Sequence, residues 1–266
     1  RDGTYVRRVS EKVEGVQFAA YTSMMRARAG MVSMCSGRLS HGAVIAARYS
    51  CVRLQGFKDD SASAEAPIID YAVQRFRVLR QFANVFALRF TASRLTLRAQ
   101  KLGADVAAGG AIPGIDEMHA LTSGLKSFAT RVTLHGLEDL RSACGGHGFL
   151  LNSGIAPASN NIKWVNSGEG DPIVLALQLG RYLLKSYGKA VKREPLSELS
   201  QVLKPLGDVA FDPKKAIPRL PPGVAGGADA EAAVRDLAFL ERLLAARVLI
   251  MTKDLGERFQ AFTKSH

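Results

Sequence analysis

Residues 68–102, IIDYAVQRFRVLRQFANVFALRFTASRLTLRAQKL, decide the fold class. Ile69, Val73, Phe76, Leu79, Ala83, Phe86 and Phe90 recur at spacings of three and four, the period of one face of an α-helix. A strand would alternate every second residue instead. The stretch predicts one long helix, with these side chains as its core-facing stripe. Arg75, Arg77, Arg80, Arg89, Arg94 and Arg98 spread around the remaining faces. They do not gather on one side, so they read as a solvated helix surface rather than a nucleic-acid-binding stripe.

Helical patterning continues on both sides of this stretch. Residues 18–57 read as helix, with Val44, Ala47, Cys51 and Leu54 on one face. A small, polar loop at 59–66 precedes Pro67, which suits the start of a helix. After a glycine-rich break at 108–114, Asp116 can cap another helix whose expected buried stripe is Met118, Leu121, Leu125, Phe128 and Val132. That helix stops at Gly145, Gly146 and Gly148. Residues 149–168 read as irregular. Asp171-Pro172 then reads as a cap followed by proline in the first helical turn, opening a helix over 172–187. This helix is apolar nearly all round, which predicts burial on every side. Residues 188–228 lose their period, gain proline and glycine, and read as a linker. A last helix over 229–263 carries Leu237, Leu240, Leu244, Val248, Met251, Leu255 and Phe259 as its stripe. One such helix cannot bury its own stripe, so it must pack on something else. Residues 1–15 are polar and basic, with a short extended piece at Thr4-Tyr5-Val6.

Composition limits the function classes. The chain has 266 residues, 47% of them hydrophobic, enough for a sizeable core and too many for a mainly disordered chain. No apolar run reaches the roughly 18 residues that a membrane span needs. The first residues, Arg1-Asp2-Gly3-Thr4, do not read as a signal peptide. Three well-separated cysteines, Cys35, Cys51 and Cys144, suggest a reducing compartment and give no zinc spacing. Thirty-six Lys and Arg against 24 Asp and Glu leave a net charge of +12, which favours anionic partners without choosing among them. The chain holds no HExxH, CxxC, GxSxG or GxGxxG pattern, so metal, serine-elbow and Rossmann dinucleotide sites have no support. His119, His135 and His147 read as structural histidines.

Chemistry concentrates in 141–187. The Gly145-Gly146-His147-Gly148 cluster either stops a helix or brings backbone N–H groups close to a phosphate. Glu169 stands just before a helix N-terminus. It is either a solvated carboxylate favoured by the helix dipole or a general base whose apolar surroundings raise its pKa.

At these residues the chain resembles a known family. Asp2-Gly3-Thr4-Tyr5-Val6, Ala47-Arg48-Tyr49-Ser50 with Val52-Arg53 and Gln55, and His119-Ala120-Leu121-Thr122 with Gly124-Leu125-Lys126 are similar to segments of the acyl-CoA oxidases. So are Ala143-Cys144-Gly145-Gly146-His147-Gly148, Ser153-Gly154-Ile155, Glu169-Gly170, Leu177-Gln178, Arg181-Tyr182-Leu183 and Lys185-Ser186-Tyr187. The acyl-CoA oxidases are a branch of the acyl-CoA dehydrogenase superfamily. The resemblance covers their C-terminal helical region and implies an all-α fold. That fold is a four-helix up-down bundle over 1–187, a linker over 188–228, and the first helix of a second helical domain over 229–266.

The resemblance also implies a reaction, a cofactor and a site. Family members bind FAD and a fatty acyl-CoA. A glutamate removes the α proton next to the thioester, the β hydrogen leaves as hydride, and a trans-2-enoyl-CoA results. Oxygen then restores the flavin and yields H2O2. Glu169 falls at the position of the base. Arg53, Gln55, Gly145 and Gly146 fall at the FAD contacts, which in the family cross the interface of a homodimer. Arg28 falls beside the base, as a substrate-side residue. The implied compartment is the peroxisome. Family members place an N-terminal helical domain and a β domain before this region, so the chain is expected to be one part of such an enzyme.

The segment around the base departs from the family pattern, aromatic-Glu-Gly-Glu-Asn-Thr, and reads Gly168-Glu169-Gly170-Asp171-Pro172-Ile173. Losing the aromatic neighbour is expected to open space beside the base, and Pro172 removes one backbone N–H. These departures keep open an alternative, a non-catalytic oxidase-like helical subunit with an assembly role. A third reading, a basic helical nucleic-acid binder, would require a steep dependence of binding on salt.

Overall fold

A computed structural model describes residues 14–57, 63–108, 114–208 and 236–265, with single positions at 212, 215, 217 and 218. The extended piece at Thr4-Tyr5-Val6, the break at 109–113, most of the proline-rich stretch after 208 and the expected helix start at 229–235 lie outside the described residues. Six α-helices are described: α1 (Glu14–Val52), α2 (Ala72–Ala107), α3 (Ile115–Ala143), α4 (Ile155–Ser167), α5 (Pro172–Val191) and α6 (Leu237–Ser265). Short 3-10 helices stand at Ile68–Asp70, Gly145–Phe149, Leu151–Ser153 and Leu199–Gly207. Among the described residues there is no strand, only one isolated antiparallel bridge between Leu54 and Pro67. The fold is all-α, and no described helix is long and apolar enough to cross a membrane.

The chain divides into two compact units, Arg1–Gln178 and Leu179–His266. In the first, side-chain pairings fix the helix directions. Gln74 bonds Ser50, and Ser36 bonds the Val85 carbonyl, so α2 returns along α1. Gln74 also bonds the Ala143 carbonyl, Arg77 bonds Asp139 and Arg98 bonds Glu117, so α3 runs back along α2. Gly154 begins α4 against Ile45, and Asn166 ends it against Lys126. The result is up-down-up-down over α1 to α4.

Helix α4 occupies part of the stretch that reads as irregular. Its propensity is poor, with Pro157, Ser159, Asn160 and Asn161, but Ile155, Ala158, Ile162 and Val165 keep a helical period and are buried. Tertiary burial overrides local preference here. The other helix boundaries shift modestly. Gly114, with φ 88°, stands at the start of α3, and Asp116 lies inside its first turn without capping it.

The cores differ from the expected stripes in a consistent way. On α2 the buried residues are Val78, Gln81, Val85, Leu88, Ala92, Leu95, Ala99 and Leu102. Val73, Phe76, Leu79, Phe86 and Phe90 are exposed on the outer side, so the phenylalanines are not core. Both stripes have helical periods, and pattern alone cannot say which one the bundle takes. The bundle takes the slimmer one because α2 must lie close to α1. On α3, Phe128 is exposed and Leu121, Leu125 and Val132 are only partly buried. Its inward face is polar: Thr122, Ser123, Lys126, Ser127, Thr130 and Thr133 are buried. On α5, Ile173, Val174 and Leu177 are exposed rather than buried on all sides.

In the second unit, Tyr187, Ala190, Leu203, Leu206 and Leu249 form a core, with Leu196 and Val202 against it. Helix α6 packs on the 3-10 helix 199–207, inside the stretch that reads as linker. Its buried residues include Phe239, Ala246 and Leu249, whereas Leu237, Leu244, Val248, Met251, Leu255 and Phe259 face outward.

Two outcomes follow from this packing. Cys51 is exposed and Cys35 is buried, its thiol pushed up to about 11 by burial, against opposing contributions from Thr133 and Lys126. At pH 8 a pKa near 11 leaves about one Cys35 in a thousand as thiolate. Iodoacetamide followed by peptide mass spectrometry will label Cys51 first and leave Cys35 unmodified until the protein unfolds. At Gly148 a Cβ would collide with the Arg141 carbonyl oxygen, a backbone atom that cannot swing aside. Gly148→Ala is expected to cost about 3 kcal/mol and to lower Tm by roughly 6–12 °C, measurable by calorimetry.

Candidate active site

Two groups of polar residues occupy different parts of the bundle. The first surrounds the turn that joins α4 to α5. Glu169 sits there with φ 56° and Gly170 with φ 120°, backbone that a residue with a side chain adopts only under constraint. The constraint comes from below. The Nε of Arg28 donates to the Glu169 carbonyl at 3.0 Å, and its Nη1 donates to Ser123 Oγ at 3.1 Å. Lys126 Nζ donates to the carbonyls of Asn166 at 2.8 Å and Gly170 at 2.6 Å. Ser127 Oγ donates to the Pro172 carbonyl at 2.9 Å. Asp171 Oδ1 accepts from Ile173 N at 2.8 Å and from Val174 N at 3.4 Å, so Asp171 caps α5 with Pro172 at its first position.

The Glu169 side chain is exposed on this turn. The exposed residues Ile173, Val174 and Leu177 stand on the first turns of α5 directly after it. Arg28 faces inward and is only 6% exposed, so it grips the turn from inside the bundle. Burial depresses its pKa, and the charges of Glu169 and Tyr21 act in the opposite direction. A Cβ on Gly168 would stand 3.0 Å from the Trp164 ring. Trp164, one helical turn earlier, lies where a side chain at 168 would begin.

His119 joins the same cluster. Its Nδ1 is 3.5 Å from Arg28 Nη1, its Nε2 is 3.0 Å from the Gln178 side-chain amide, and its ring lies 5.0 Å from that of Tyr21. Burial lowers the His119 pKa, Arg28 lowers it further, and Asp116 opposes them.

The second group lines a groove of about 540 Å³ at the other end of α1. Arg53, Gln55, Gly145 and Gly146 all border it, together with Tyr49, Arg77 and His147. Tyr49 Oη and His147 Nδ1 are 3.1 Å apart. Gly145 and Gly146 have open space where a Cβ would stand, so a ligand can approach their backbone. Arg77 is committed to Asp139, so Arg53, the Gln55 amide and the uncovered glycine backbone are the groups the groove offers to a polar or anionic ligand. The structure therefore gathers four of the sequence-derived site residues in one groove and sets Glu169 and Arg28 together at another place. Along α1, Arg28 and Val52 are about 36 Å apart at 1.5 Å per residue.

Sequence reasoning missed Lys126, Ser127 and Gln178 as neighbours of the Glu169 turn. The available signal was the run of hydroxyls with one lysine, Thr122-Ser123, Lys126-Ser127 and Thr130, at helical spacing on one face.

Comparison with known proteins gives the family. The family model for the acyl-CoA oxidase C-alpha1 domain matches residues 21–184. Acyl-coenzyme A oxidase acox-1.2 of Caenorhabditis elegans is 37% identical over 201 residues, covering 74% of this chain and 29% of the relative. Peroxisomal acyl-coenzyme A oxidase 1 of Cavia porcellus is 30% identical over 214 residues, covering 80% of this chain and 31% of the relative. Among solved structures, Arabidopsis thaliana acyl-CoA oxidase 1 aligns with a TM-score of 0.79 and 29% identity, over 95% of this chain and 36% of that one. Caenorhabditis elegans acyl-CoA oxidase-2, bound with FAD, ascaroside-CoA and ATP, aligns with a TM-score of 0.68 and 31% identity, over 97% of this chain and 39% of that one. The chain belongs to the acyl-CoA oxidase family, and it spans less than a third of the length of these curated relatives.

The His119 cluster predicts a pH dependence. Its folded pKa lies below the ordinary 6.5. Between those two values the unfolded chain binds a proton that the folded chain refuses, so stability rises with pH across that window and falls on acidification. His119→Gln is expected to flatten this part of a Tm-versus-pH profile. An unchanged slope below pH 6.5 contradicts the assignment.

Proposed function

We propose that this chain is the part of a flavin-dependent acyl-CoA oxidase that carries the catalytic base. In this reading the protein converts a fatty acyl-CoA and O2 to a trans-2-enoyl-CoA and H2O2 in fatty acid β-oxidation. The observation that carries it is the position of Glu169 on a turn held in left-handed backbone by Arg28, in a chain of the oxidase family. The Glu169 carboxylate takes the α proton next to the thioester. FAD, when bound, supplies the acceptor for the hydride that leaves the β carbon. Ile173, Val174 and Leu177 offer apolar surface beside the base for the acyl chain. Arg53, Gln55 and the backbone of Gly145 and Gly146 would hold the cofactor.

A homodimer belongs to the same reading. The distance between the groove and the base-bearing turn is too long for both to meet one reacting centre within one chain. Pairing two copies lets the groove of one serve the turn of the other. The domain assignment is a bundle over 1–187, a connection over 188–228 and the first helix of a second helical domain from 229. The peroxisome is assigned by likeness to the guinea pig relative, whose name carries that compartment.

The exposure of Glu169 and the altered 168–173 segment favour a second reading, a helical subunit that lacks catalysis and serves assembly. Absorbance separates the two. The natively purified protein is expected to show a flavin band that bleaches when an acyl-CoA is added without oxygen. Glu169→Gln should retain the band and lose the bleaching, with turnover down by about 10³-fold or more. A native protein without a flavin band supports the assembly subunit.

A further inference from the structure

We infer that Lys126 is a positioning residue for the base, a role that rests on the reading of Glu169 given above. Lys126 lies in the middle of α3 and is completely buried. An ammonium in such a place is costly unless its protons are taken up. Two of them go to the backbone carbonyls of Asn166 and Gly170, at 2.8 and 2.6 Å. These are short, charge-assisted bonds. Asn166 is in the last turn of α4, where carbonyls have no partner within the helix. Gly170 is the residue after Glu169. The lysine therefore bridges both sides of the base, closing the turn like a clasp, while Arg28 holds the carbonyl of Glu169 itself.

Burial works against the charge of this lysine, and the two carbonyls oppose that cost. Burial and the charge of Arg28 lower its pKa, while Cys35, Asp171 and Glu169 act to raise it. Every bond of the clasp goes to backbone, so it fixes the path of the chain at 166–170 whatever side chains stand there. The clasp accounts for the φ of 56° at Glu169 and the φ of 120° at Gly170. The direction in which the Glu169 side chain leaves the turn follows from those two backbone angles. A base aimed wrongly by about 1 Å loses on the order of 100-fold in rate.

The test compares Lys126→Met with the wild type in the natively purified protein, using hydrogen exchange and steady-state kinetics. The methionine keeps the apolar stem and removes the ammonium. Exchange at the amides of 167–171 is expected to accelerate while the amides of α1 to α3 keep their protection. The kcat should fall by about 100-fold with KM within threefold. Leu137→Ala, a core truncation distant from the turn, controls for general destabilisation and should lower Tm without these two effects. If Lys126→Met does not fold, Lys126→Gln, which can still donate to one carbonyl, should show the same changes at reduced size. Unchanged exchange at 167–171, or exchange that rises equally throughout the bundle, overturns the proposal. If Glu169→Gln retains full turnover, the assignment of the base fails. Locally faster exchange in Lys126→Met would then still establish the clasp, without a role in proton abstraction.

Discussion

The three long helices converge on Gly136, and the register of the bundle depends on that contact. A Cβ on Gly136 would stand 2.7 Å from Leu39 Cδ1 of α1 and 2.6 Å from Gln81 Oε1 of α2. Both neighbours therefore lie against bare backbone. Close to this point on α3, Asp139 accepts from Arg77, Arg80 and Gln81. Burial alone would raise the Asp139 carboxyl, but the bonds from Gln81 and Arg77, with the charges of Arg77 and Arg80, hold it below the usual range. Sliding any helix by one turn would bring a side chain into the Gly136 contact and strand buried polar groups, at about 1–3 kcal/mol for each group left unmatched. Shape and polarity thus select the same register.

That register delivers the two ends of the bundle to their tasks. Toward one end it sets Ser123 opposite Arg28 and Lys126 opposite the exit of α4. Toward the other it sets Gln74 between Ser50 and the Ala143 carbonyl, where the glycines of 145–148 begin. The interior of α3 is polar because it serves the first end. Thr122 returns its hydroxyl to the Met118 carbonyl and Thr130 to that of Lys126. Its serines and its lysine reach out to the neighbouring turn and to α1.

The largest side chains lie mostly on the outside. Phe76, Phe86 and Phe90 on α2, Ile173 and Leu177 on α5, and Met251 and Phe259 on α6 are all more than half exposed. Inside, alanines at 29, 43, 46, 92, 99 and 129 let the helices approach closely. Leu39, Leu88, Leu137, Leu140 and Ile162 fill the space between those alanines.

The sequence by itself determined that the chain is helical and where most of the helices run, and its resemblance to the oxidases pointed to Arg53, Gln55, Gly145, Gly146 and Glu169. These follow from local spacing, from caps such as Asp171-Pro172, and from short runs of recognisable residues. Only the tertiary structure decided which of two helical stripes on α2 is core, because periodicity is blind to what stands opposite. It also recovered α4, whose Ile155, Ile162 and Val165 find burial that Pro157 and Asn160-Asn161 conceal in a reading of propensity. It decided, finally, that Lys126 and Arg28 close on one turn. Their partners are backbone carbonyls 40 and 141 residues away in the chain. Carbonyls are the same at every position, so no pattern of side chains announces them.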